Sequence, residues 1–335
     1  MKAFEIQEFG IDKLALVDRE TPRPGPGEVL VRLKAASLNY RDYLVVGGAY
    51  NPNLKRPLVP LSDGAGVVEE AGPGVTHFKK GDRVMSCFFP AWLDGPPTPE
   101  TVKPALGGNV DGVLREHAVF REDGLVHTPK NLSDEEAATL PCAGLTAWHA
   151  LFENILAQPG ETVLLQGTGG VSIFGLQFAH AAGLRTIVTS SSDQKLERAR
   201  KLGADEVINY KKTPEWDEEV RKLTAGQGVD HVIEVGGSDT IPRSLNAIRM
   251  QGTISVIGIL SGVEPTISPS RILQKSVRVQ GIYVGSQAMF KRMNHAVEFH
   301  KIKPVIDQVF PWTEAKEALR HMESQRHFGK ICLKF

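Results

Sequence analysis

A glycine-rich run at residues 166–172, Gln-Gly-Thr-Gly-Gly-Val-Ser, has residue types and spacing that suit the binding of phosphates. It follows an apolar run and precedes a helical pattern, so Gly167 would make a tight turn and Gly169 would admit a pyrophosphate close to the backbone. The N–H groups at the helix start and the positive end of its dipole would then bind the phosphates. Ser172 replaces the third glycine of this fingerprint and is small enough for close packing.

The loop therefore predicts a dinucleotide-binding site, and a glycine-rich turn without a ligand is the alternative. The residues expected to contact the pyrophosphate are Gly167, Thr168, Gly169, Gly170 and Val171.

A second group of residues, about 20 positions further on, bears on which dinucleotide binds. Sites for NAD usually carry a carboxylate there, whereas this chain carries Ser190. A carboxylate would repel a 2′-phosphate, but a serine donates to it, Lys195 adds positive charge, and Tyr210 with Lys211 would close over it. This pattern favours NADP. The alternatives are that the serines only cap the next helix, or that Asp193 turns inward and accepts from the ribose of NAD.

The elements that must position these residues follow from the periodicity of the chain. Between residues 162 and 260, apolar runs typical of strands alternate with helical patterns, which predicts a parallel sheet with helices on both faces. The predicted strands span 162–166, 186–190, 207–210, 229–235, 253–260 and 278–284. The predicted helices span 171–182, 194–202, 216–223, 288–301 and 314–323.

The first 125 residues or so have a different character, rich in Gly and Pro and in short β-branched runs. Strands at 29–34, 64–70 and 83–87 predict a mostly β domain or small barrel. Ser133 and Glu136 predict a capping box that opens a helix. The tail at 329–335 reads as a strand that returns to this first domain.

Composition sets limits on the function. The 335 residues suggest about two domains, and 41% hydrophobic with 23% charged residues favours a folded core. The 39 basic and 39 acidic residues balance, so no net charge recruits nucleic acid or an anionic membrane. Three widely spaced cysteines favour a reducing compartment. With no visible signal peptide and no apolar run near the roughly 20 residues of a membrane helix, a cytoplasmic protein is expected.

The motifs occur in an order that resembles a known family. Gly-Asp-Arg-Val at 81–84 is followed by Leu-Pro-Cys-Ala-Gly-Leu-Thr-Ala-Trp at 140–148, then by the glycine-rich loop, Glu-Val-Gly-Gly at 234–237 and His-Phe-Gly-Lys at 327–330. Nearly the whole chain resembles the medium-chain dehydrogenase/reductase family. It is most similar to its zinc-less branch of quinone oxidoreductases, polyketide-type enoyl reductases and zinc-independent alcohol dehydrogenase-like proteins.

The resemblance implies an α/β protein with a GroES-like mostly-β catalytic domain, at 1–125 and 287–335, and a Rossmann doubly wound parallel-sheet cofactor domain at 126–286. It also implies a homodimer in which the strand at 276–284 pairs across a two-fold axis; a tetramer stays open. Further cofactor contacts are implied for Thr146 beneath the nicotinamide and for residues around its ribose and carboxamide. The further contacts are Val235, Gly236, Gly258, Val284, Gly285 and, from the last motif, Lys330.

The resemblance also exposes a gap where the zinc branch carries its ligands. A catalytic zinc ion needs three protein ligands and an open position. The corresponding places here hold Asn39, Ser62 and Cys142, of which only the cysteine is a good ligand. The lobe of the family's structural zinc site has one cysteine, Cys87, so other contacts must hold it. We therefore expect no zinc.

Without zinc, hydride from the nicotinamide must go to an acceptor that is already activated, such as a quinone or an α,β-unsaturated carbonyl. Hydrogen-bond donors then suffice to stabilise the charge on the acceptor oxygen. The resemblance implies that Tyr50 donates to this oxygen and that Asn39 orients the nicotinamide ribose or the substrate. Tyr40 and Tyr43 are alternative donors, with core packing as their other role. An ion pair in Arg41–Asp42 would hold this loop.

The expected function is thus NADPH-dependent reduction of small-molecule quinones, enones or activated carbonyls. A zinc-independent alcohol dehydrogenase is one alternative. An enoyl-thioester reductase is another, and it would need a basic rim such as Lys55, Arg56 and Arg292. A third alternative is a nucleotide-binding sensor or scaffold protein without catalysis. The intact glycines of the loop argue against the third.

Overall fold

The computed structural model describes residues 1–258, 260 and 267–335, which divide into two compact units. The first unit comprises Met1–Leu145 and Val284–Phe335, and the second comprises Thr146–Tyr283. The sequence prediction divided the chain at 125/126 and 286/287. Residues 126–145 lie in the first unit because the helix that begins at Asp134 packs on the sheet of that unit.

Strands and α-helices of the described residues are numbered separately in chain order. The strands are β1 (Lys2–Glu5), β2 (Ala15–Asp18), β3 (Glu28–Ser37), β4 (Asp63–Ala71), β5 (Arg83–Ser86), β6 (His117–Arg121), β7 (Leu125–His127), β8 (Thr162–Gln166), β9 (Arg185–Ser190), β10 (Glu206–Asn209), β11 (Val229–Glu234), β12 (Ile248–Val256), β13 (Arg278–Gly281), β14 (Ile306–Pro311) and β15 (Lys330–Lys334). The α-helices are α1 (Tyr40–Val46), α2 (Pro99–Val102), α3 (Asp134–Ala138), α4 (Leu145–Trp148), α5 (Gly170–Ala181), α6 (Asp193–Lys201), α7 (Trp216–Leu223), α8 (Ile241–Ala247), α9 (Pro269–Lys275), α10 (Gln287–Phe299) and α11 (Ala315–Glu323).

The first unit is built on a seven-stranded sheet in the order β14-β15-β3-β4-β5-β7, with β6 pairing β3 as well, while β1 and β2 form a separate pair. The predicted returning tail is confirmed, because β15 pairs antiparallel with β3. Inward-facing residues such as Val31, Leu33 and Val68 form the core of this unit. The sequence pattern predicted β3, β4, β5 and the returning β15, but it did not predict β1, β2, β6, β7 or β14. The capping box is also present: Ser133 Oγ accepts from the Glu136 N–H at 3.1 Å.

The second unit is a parallel sheet in the order β10-β9-β8-β11-β12-β13. Counted from its first strand, this is the order 3-2-1-4-5-6 of a Rossmann fold, as predicted. In such sheets ligands bind beyond the carboxyl ends of the strands where the order reverses, which is here between β8 and β11. The predicted strand 253–260 is found at Ile248–Val256, so it begins and ends earlier in the chain than predicted, and Ile259 lies outside the described residues. No helix in the described part of the chain is long and apolar enough to cross a membrane.

Candidate functional site

The glycine-rich loop in the second unit begins at the end of β8. Gly167 has a φ of 72°, which favours glycine, and Gly169 precedes the first turn of α5. Apart from the adjoining residues of the chain, no heavy atom of the described residues lies within 4 Å of the position where either glycine would carry a Cβ. Ser172, in place of the third glycine, donates from Oγ to the Gln166 carbonyl at 2.5 Å, which explains why a serine fits there. The loop thus presents open backbone at a helix N-terminus, the arrangement that binds a pyrophosphate.

A buried carboxylate supports this loop from the neighbouring strand. Glu234, at the end of β11, is fully buried. Its Oε1 accepts from the N–H groups of Gly236 at 2.8 Å and Gly237 at 3.1 Å, and from Thr240 Oγ1 at 2.6 Å. Its Oε2 accepts from Gln166 Nε2 at 2.8 Å and from the hydroxyl of Ser244. One side chain therefore ties the residue before the glycine-rich loop to the turn after β11.

The sequence pattern singled out Gly236 but not the carboxylate that orders it. The signal was present in the Glu-Val-Gly-Gly motif, because a carboxylate directly before a Gly-Gly turn can accept from the N–H groups of that turn. Gly258 packs close to the same turn. Its N–H donates to the Glu234 carbonyl at 3.2 Å, and a Cβ on it would lie 2.3 Å from the Val235 carbonyl oxygen.

The residues predicted to choose the cofactor lie at the ends of β9 and β10. Ser190 is buried, and its Oγ accepts from the Ser192 N–H at 3.4 Å. Asp193, the carboxylate of the NAD alternative, accepts from Asn209 Nδ2 at 2.7 Å and from Lys212 Nζ at 2.6 Å. Asn209 and Lys212 lower the pKa of Asp193. Both oxygens of this carboxylate are therefore already engaged at the end of β10.

Two other predicted residues surround the same strand ends. Tyr210 follows β10, its N–H donates to the Ser190 carbonyl at 3.1 Å, and its side chain is exposed. Lys195 lies in the first turn of α6, where its N–H donates to Ser192 Oγ at 3.4 Å. Contacts of these side chains with a 2′-phosphate stay a prediction.

In the first unit, Asn39, Ser62 and Cys142 stand at the places of the zinc ligands in the zinc branch of the family. Hydrogen bonds through Asp63 link these three residues into one chain. Asn39 Nδ2 donates to Ser62 Oγ at 3.4 Å, and Ser62 Oγ donates to Asp63 Oδ1 at 2.6 Å. Asp63 Oδ2 accepts from the backbone N–H of Cys142 at 3.0 Å. The side chains of Asn39, Ser62 and Asp63 are all buried. The sequence pattern did not single out Asp63, although it stands next to Ser62.

A lysine completes this cluster. Lys330, at the start of β15, is 3% exposed, and its Nζ donates at 2.6 Å both to Asn39 Oδ1 and to the Leu38 carbonyl. The pairing of β15 with β3 brings it there, because β3 leads directly into Leu38 and Asn39. Its predicted contact with the cofactor stays a prediction.

The donor set of this cluster does not fit a catalytic zinc ion. The Asn39 oxygen faces an ammonium group, and the Ser62 hydroxyl is engaged with Asp63. Burial, and then the nearby Asp63 carboxylate, raise the pKa of the Cys142 thiol strongly, whereas zinc binds the thiolate. Within the described residues, no group of three or more His, Cys, Asp or Glu side chains is placed to hold a metal ion.

The predicted ion pair next to Asn39 is present. Arg41 Nη2 lies 3.3 Å from Asp42 Oδ1, and Asp42 Oδ2 accepts from the Asn39 N–H at 2.9 Å. Burial raises the pKa of Asp42 to about 6, against the opposing effect of Arg41. Arg41 also donates to the Leu106 carbonyl at 2.7 Å, and its guanidinium lies 4.4 Å from the ring centre of Phe88. These contacts hold the lobe that a structural zinc site would occupy.

The predicted tyrosines differ in what their hydroxyls can do. Tyr50 follows α1 and is 45% exposed, and its hydroxyl has no hydrogen-bond partner among the described residues. Tyr43 donates its hydroxyl proton to Glu323 at 2.9 Å, and this bond raises the pKa of Tyr43. Tyr40 lies beside Tyr43, with ring centres 5.7 Å apart. Tyr50 and Tyr40 therefore keep a donor role open, whereas Tyr43 is committed to a carboxylate.

The remaining predicted cofactor contacts lie close to the two points where the chain passes from one unit to the other. Thr146 is buried in α4. Val284 has a φ of 53°, and a Cβ on Gly285 would lie 2.8 Å from the Leu145 side chain, so a larger residue there would force that side chain to shift. Their roles toward a nicotinamide stay predictions.

Two family models match the chain. Residues 25–130 match the model described as alcohol dehydrogenase GroES-like domain, and residues 170–298 match the model described as zinc-binding dehydrogenase. Together they cover β3 to β7 of the first sheet and most of the second unit.

Full-length relatives agree with these matches. A zinc-type alcohol dehydrogenase-like protein of Schizosaccharomyces pombe is 50% identical over 332 residues, covering 97% of this chain and 96% of the relative. A 2-haloacrylate reductase of Burkholderia sp. is 30% identical over 352 residues, with coverage of 99% and 98%.

Solved structures agree as well. The crystal structure of a putative alcohol dehydrogenase from Sinorhizobium meliloti 1021 has a TM-score of 0.94 at 44% identity, covering 100% of this chain and 98% of that one. A mycobacterial protein complexed with NADPH has a TM-score of 0.85 at 28% identity, covering 100% of both chains.

Proposed function

This chain belongs to the medium-chain dehydrogenase/reductase superfamily, and from that premise we propose that it reduces quinones, enones or other activated carbonyl compounds with NADPH and without a metal ion. The homologues of the chain are oxidoreductases, and the mycobacterial one is solved in complex with NADPH. The proposal concerns the choice of cofactor, the absence of zinc and the class of substrate.

The observation that carries the proposal is the donor set around Asn39. Zinc in a dehydrogenase polarises the substrate oxygen as a Lewis acid. Here the Asn39 oxygen accepts from Lys330, and the Ser62 hydroxyl donates to Asp63. This cluster can offer hydrogen bonds to a substrate. Its ligand places, Asn39, Ser62 and Cys142, do not supply the three thiolate, imidazole or carboxylate ligands that a catalytic zinc ion needs. A substrate must therefore delocalise the incoming charge by itself, as quinones and enones do.

The side chains at the carboxyl ends of β9 and β10 support the choice of NADPH over NADH. A buried serine stands where a carboxylate would accept from the ribose of NAD, and the nearby Asp193 is engaged by Asn209 and Lys212. Positive charge from Lys195 is close in sequence, at the first turn of α6. The solved mycobacterial relative is complexed with NADPH, whereas another solved relative, at 37% identity, is described as an NAD-dependent alcohol dehydrogenase, so the support for NADPH comes from the residues at these strand ends.

Each residue has a definite task in the proposed reaction. Bound NADPH supplies the hydride. The backbone of residues 167–171 would hold its pyrophosphate at the N-terminus of α5, and Ser190 would donate to its 2′-phosphate. Asn39 Nδ2 and the Tyr50 hydroxyl donate to the substrate oxygen as negative charge develops there. The 2-haloacrylate reductase among the relatives is named for reducing an activated alkene, which fits this class of acceptor.

The Tyr50→Phe variant tests the proposed donor. We expect it to lower kcat for enone reduction by about tenfold to hundredfold, because one hydrogen bond to the developing oxyanion is lost. The measurement is NADPH oxidation by the wild type and variants with a panel of quinones, enones and simple alcohols.

The Tyr43→Phe variant is the matched control, since the Tyr43 hydroxyl is held by Glu323 and should leave turnover within about twofold. Loss of activity in Tyr40→Phe with full activity in Tyr50→Phe would move the donor role to Tyr40. Turnover of simple alcohols alone, with no reduction of quinones or enones, would refute the proposed substrate class.

A further inference from the structure

The orientation of the Asn39 amide is determined by a buried cation. Amide oxygen and nitrogen are hard to tell apart by shape alone, but an ammonium group has only donors to offer. Lys330 Nζ lies 2.6 Å from the side chain of Asn39, so the atom that faces it must be the oxygen, Oδ1. The second contact of Nζ, with the Leu38 carbonyl at 2.6 Å, fixes the ammonium itself. The NH₂ group of Asn39 is therefore directed away from Lys330.

The partner of that NH₂ group is a weak one. Asn39 Nδ2 lies 3.4 Å from Ser62 Oγ, which is longer than the roughly 2.7–3.2 Å of an ordinary N–H···O bond. Ser62 gives its only proton to Asp63 at 2.6 Å, so it presents a lone pair to Asn39. The polarity of the whole chain is thus set: the NH₂ group of Asn39 is the donor, toward Ser62 and toward the Asp63 carboxylate, whose pKa this contact lowers.

We propose that Lys330 is a positioning residue, which holds the Asn39 amide with its NH₂ group as the donor and polarises it toward a substrate oxygen. An ammonium on the amide oxygen withdraws charge from the amide, and linked hydrogen bonds strengthen one another in a medium of low dielectric. The lysine thus supplies, through Asn39, part of the positive field that a metal ion supplies in zinc dehydrogenases. This inference rests on the proposed function for the reaction, but the contact between the two residues does not depend on it.

Charge balance makes a buried lysine tolerable here. Asp63 and Asp42 are fully buried carboxylates, and Arg41 is paired with Asp42. Burial raises the pKa of Asp63, and the positive charge of Lys330 opposes that effect more strongly than any other neighbouring group. The cluster therefore contains two cations and two carboxylates, and the lysine cannot be removed without leaving Asp63 unbalanced.

The test is a double-mutant cycle with Lys330→Met and Asn39→Ala, measured on enone reduction with NADPH. We expect Lys330→Met to lower kcat by about tenfold to hundredfold when Asn39 is present, because the donor is no longer held in place. In the Asn39→Ala background the same change should alter kcat by less than about twofold. The dissociation constant of NADPH, from fluorescence titration, should stay within about twofold in both backgrounds.

Two results would overturn the proposal. An equal fall in kcat in both backgrounds would mean that Lys330 acts independently of Asn39. A raised dissociation constant for NADPH with unchanged kcat would make Lys330 a cofactor ligand instead. If Lys330→Met does not fold, the cycle is repeated in an Asp63→Asn background, where removal of the lysine leaves the cluster without excess charge.

Failure of this inference can be separated from failure of the proposed function. If the wild type reduces no quinone or enone, the proposed function fails. The cycle is then measured on the unfolding equilibrium constant in urea, which needs no turnover. A coupling between the two residues of at least about twofold supports the fixed contact, and additive effects contradict it.

Discussion

Replacing Ser190 by aspartate is expected to raise the dissociation constant for NADPH by about a hundredfold. A carboxylate at this buried strand end would face the 2′-phosphate, and unfavourable contacts between like charges cost several kcal/mol, with every 1.4 kcal/mol worth tenfold in affinity. NADH has hydroxyls there instead, to which the carboxylate can act as acceptor, so its binding should improve. Fluorescence titration of both nucleotides into both proteins measures the two shifts.

The matched control is Ser190→Asn, which has the same size as aspartate but no charge. We expect this variant to weaken NADPH by less than about tenfold, since only one hydrogen bond changes. If asparagine and aspartate weaken NADPH equally, the effect is steric. If the wild type already prefers NADH, the assignment of Ser190 and Lys195 to a 2′-phosphate is wrong.

Replacing Glu234 by alanine is expected to have the largest effect on stability, at about 3 kcal/mol or more of unfolding free energy. The carboxylate accepts five hydrogen bonds, and its removal takes an acceptor from Gln166, Thr240 and Ser244 and from the two N–H groups of the Gly-Gly turn. Urea titration followed by circular dichroism measures the loss. Because Gln166 precedes the glycine-rich loop, NADPH binding should weaken as well.

Glu197→Ala is the control for removing a carboxylate from the same unit. Glu197 is exposed on α6, so its replacement should change the unfolding free energy by less than about 0.5 kcal/mol. Equal stability of the Glu234→Ala and Glu197→Ala variants would show that the buried network contributes little.

Features encoded by neighbouring residues could be predicted from the sequence. The Rossmann unit could be predicted from local periodicity, because each strand from β8 to β11 is recognisable from its own apolar run, without knowledge of the strand with which it pairs. The glycine-rich loop is equally local, and Gly167 adopts the positive φ that its turn requires. The ion pair between Arg41 and Asp42 was predictable because the two residues are adjacent.

Features that depend on distant parts of the chain could not be predicted in this way. The pairing of β15 with β3 brings Lys330 to Asn39 across 291 positions, and no local pattern reveals that its ammonium faces the amide oxygen. Asp63 was overlooked since its contact with the Cys142 N–H spans 79 positions. The division between the units also depends on such packing, because α3 follows the β-rich segment in sequence yet packs on its sheet.

The central claim is hydride transfer without a metal ion, and zinc content combined with turnover tests it most directly. The protein is dialysed against a strong chelator, its zinc is measured by mass spectrometry, and NADPH-dependent reduction of an enone is assayed before and after. The donor set of Asn39, Ser62 and Cys142 predicts unchanged turnover with far less than one zinc ion per chain. Turnover that disappears with the chelator and returns with one equivalent of zinc would contradict the account.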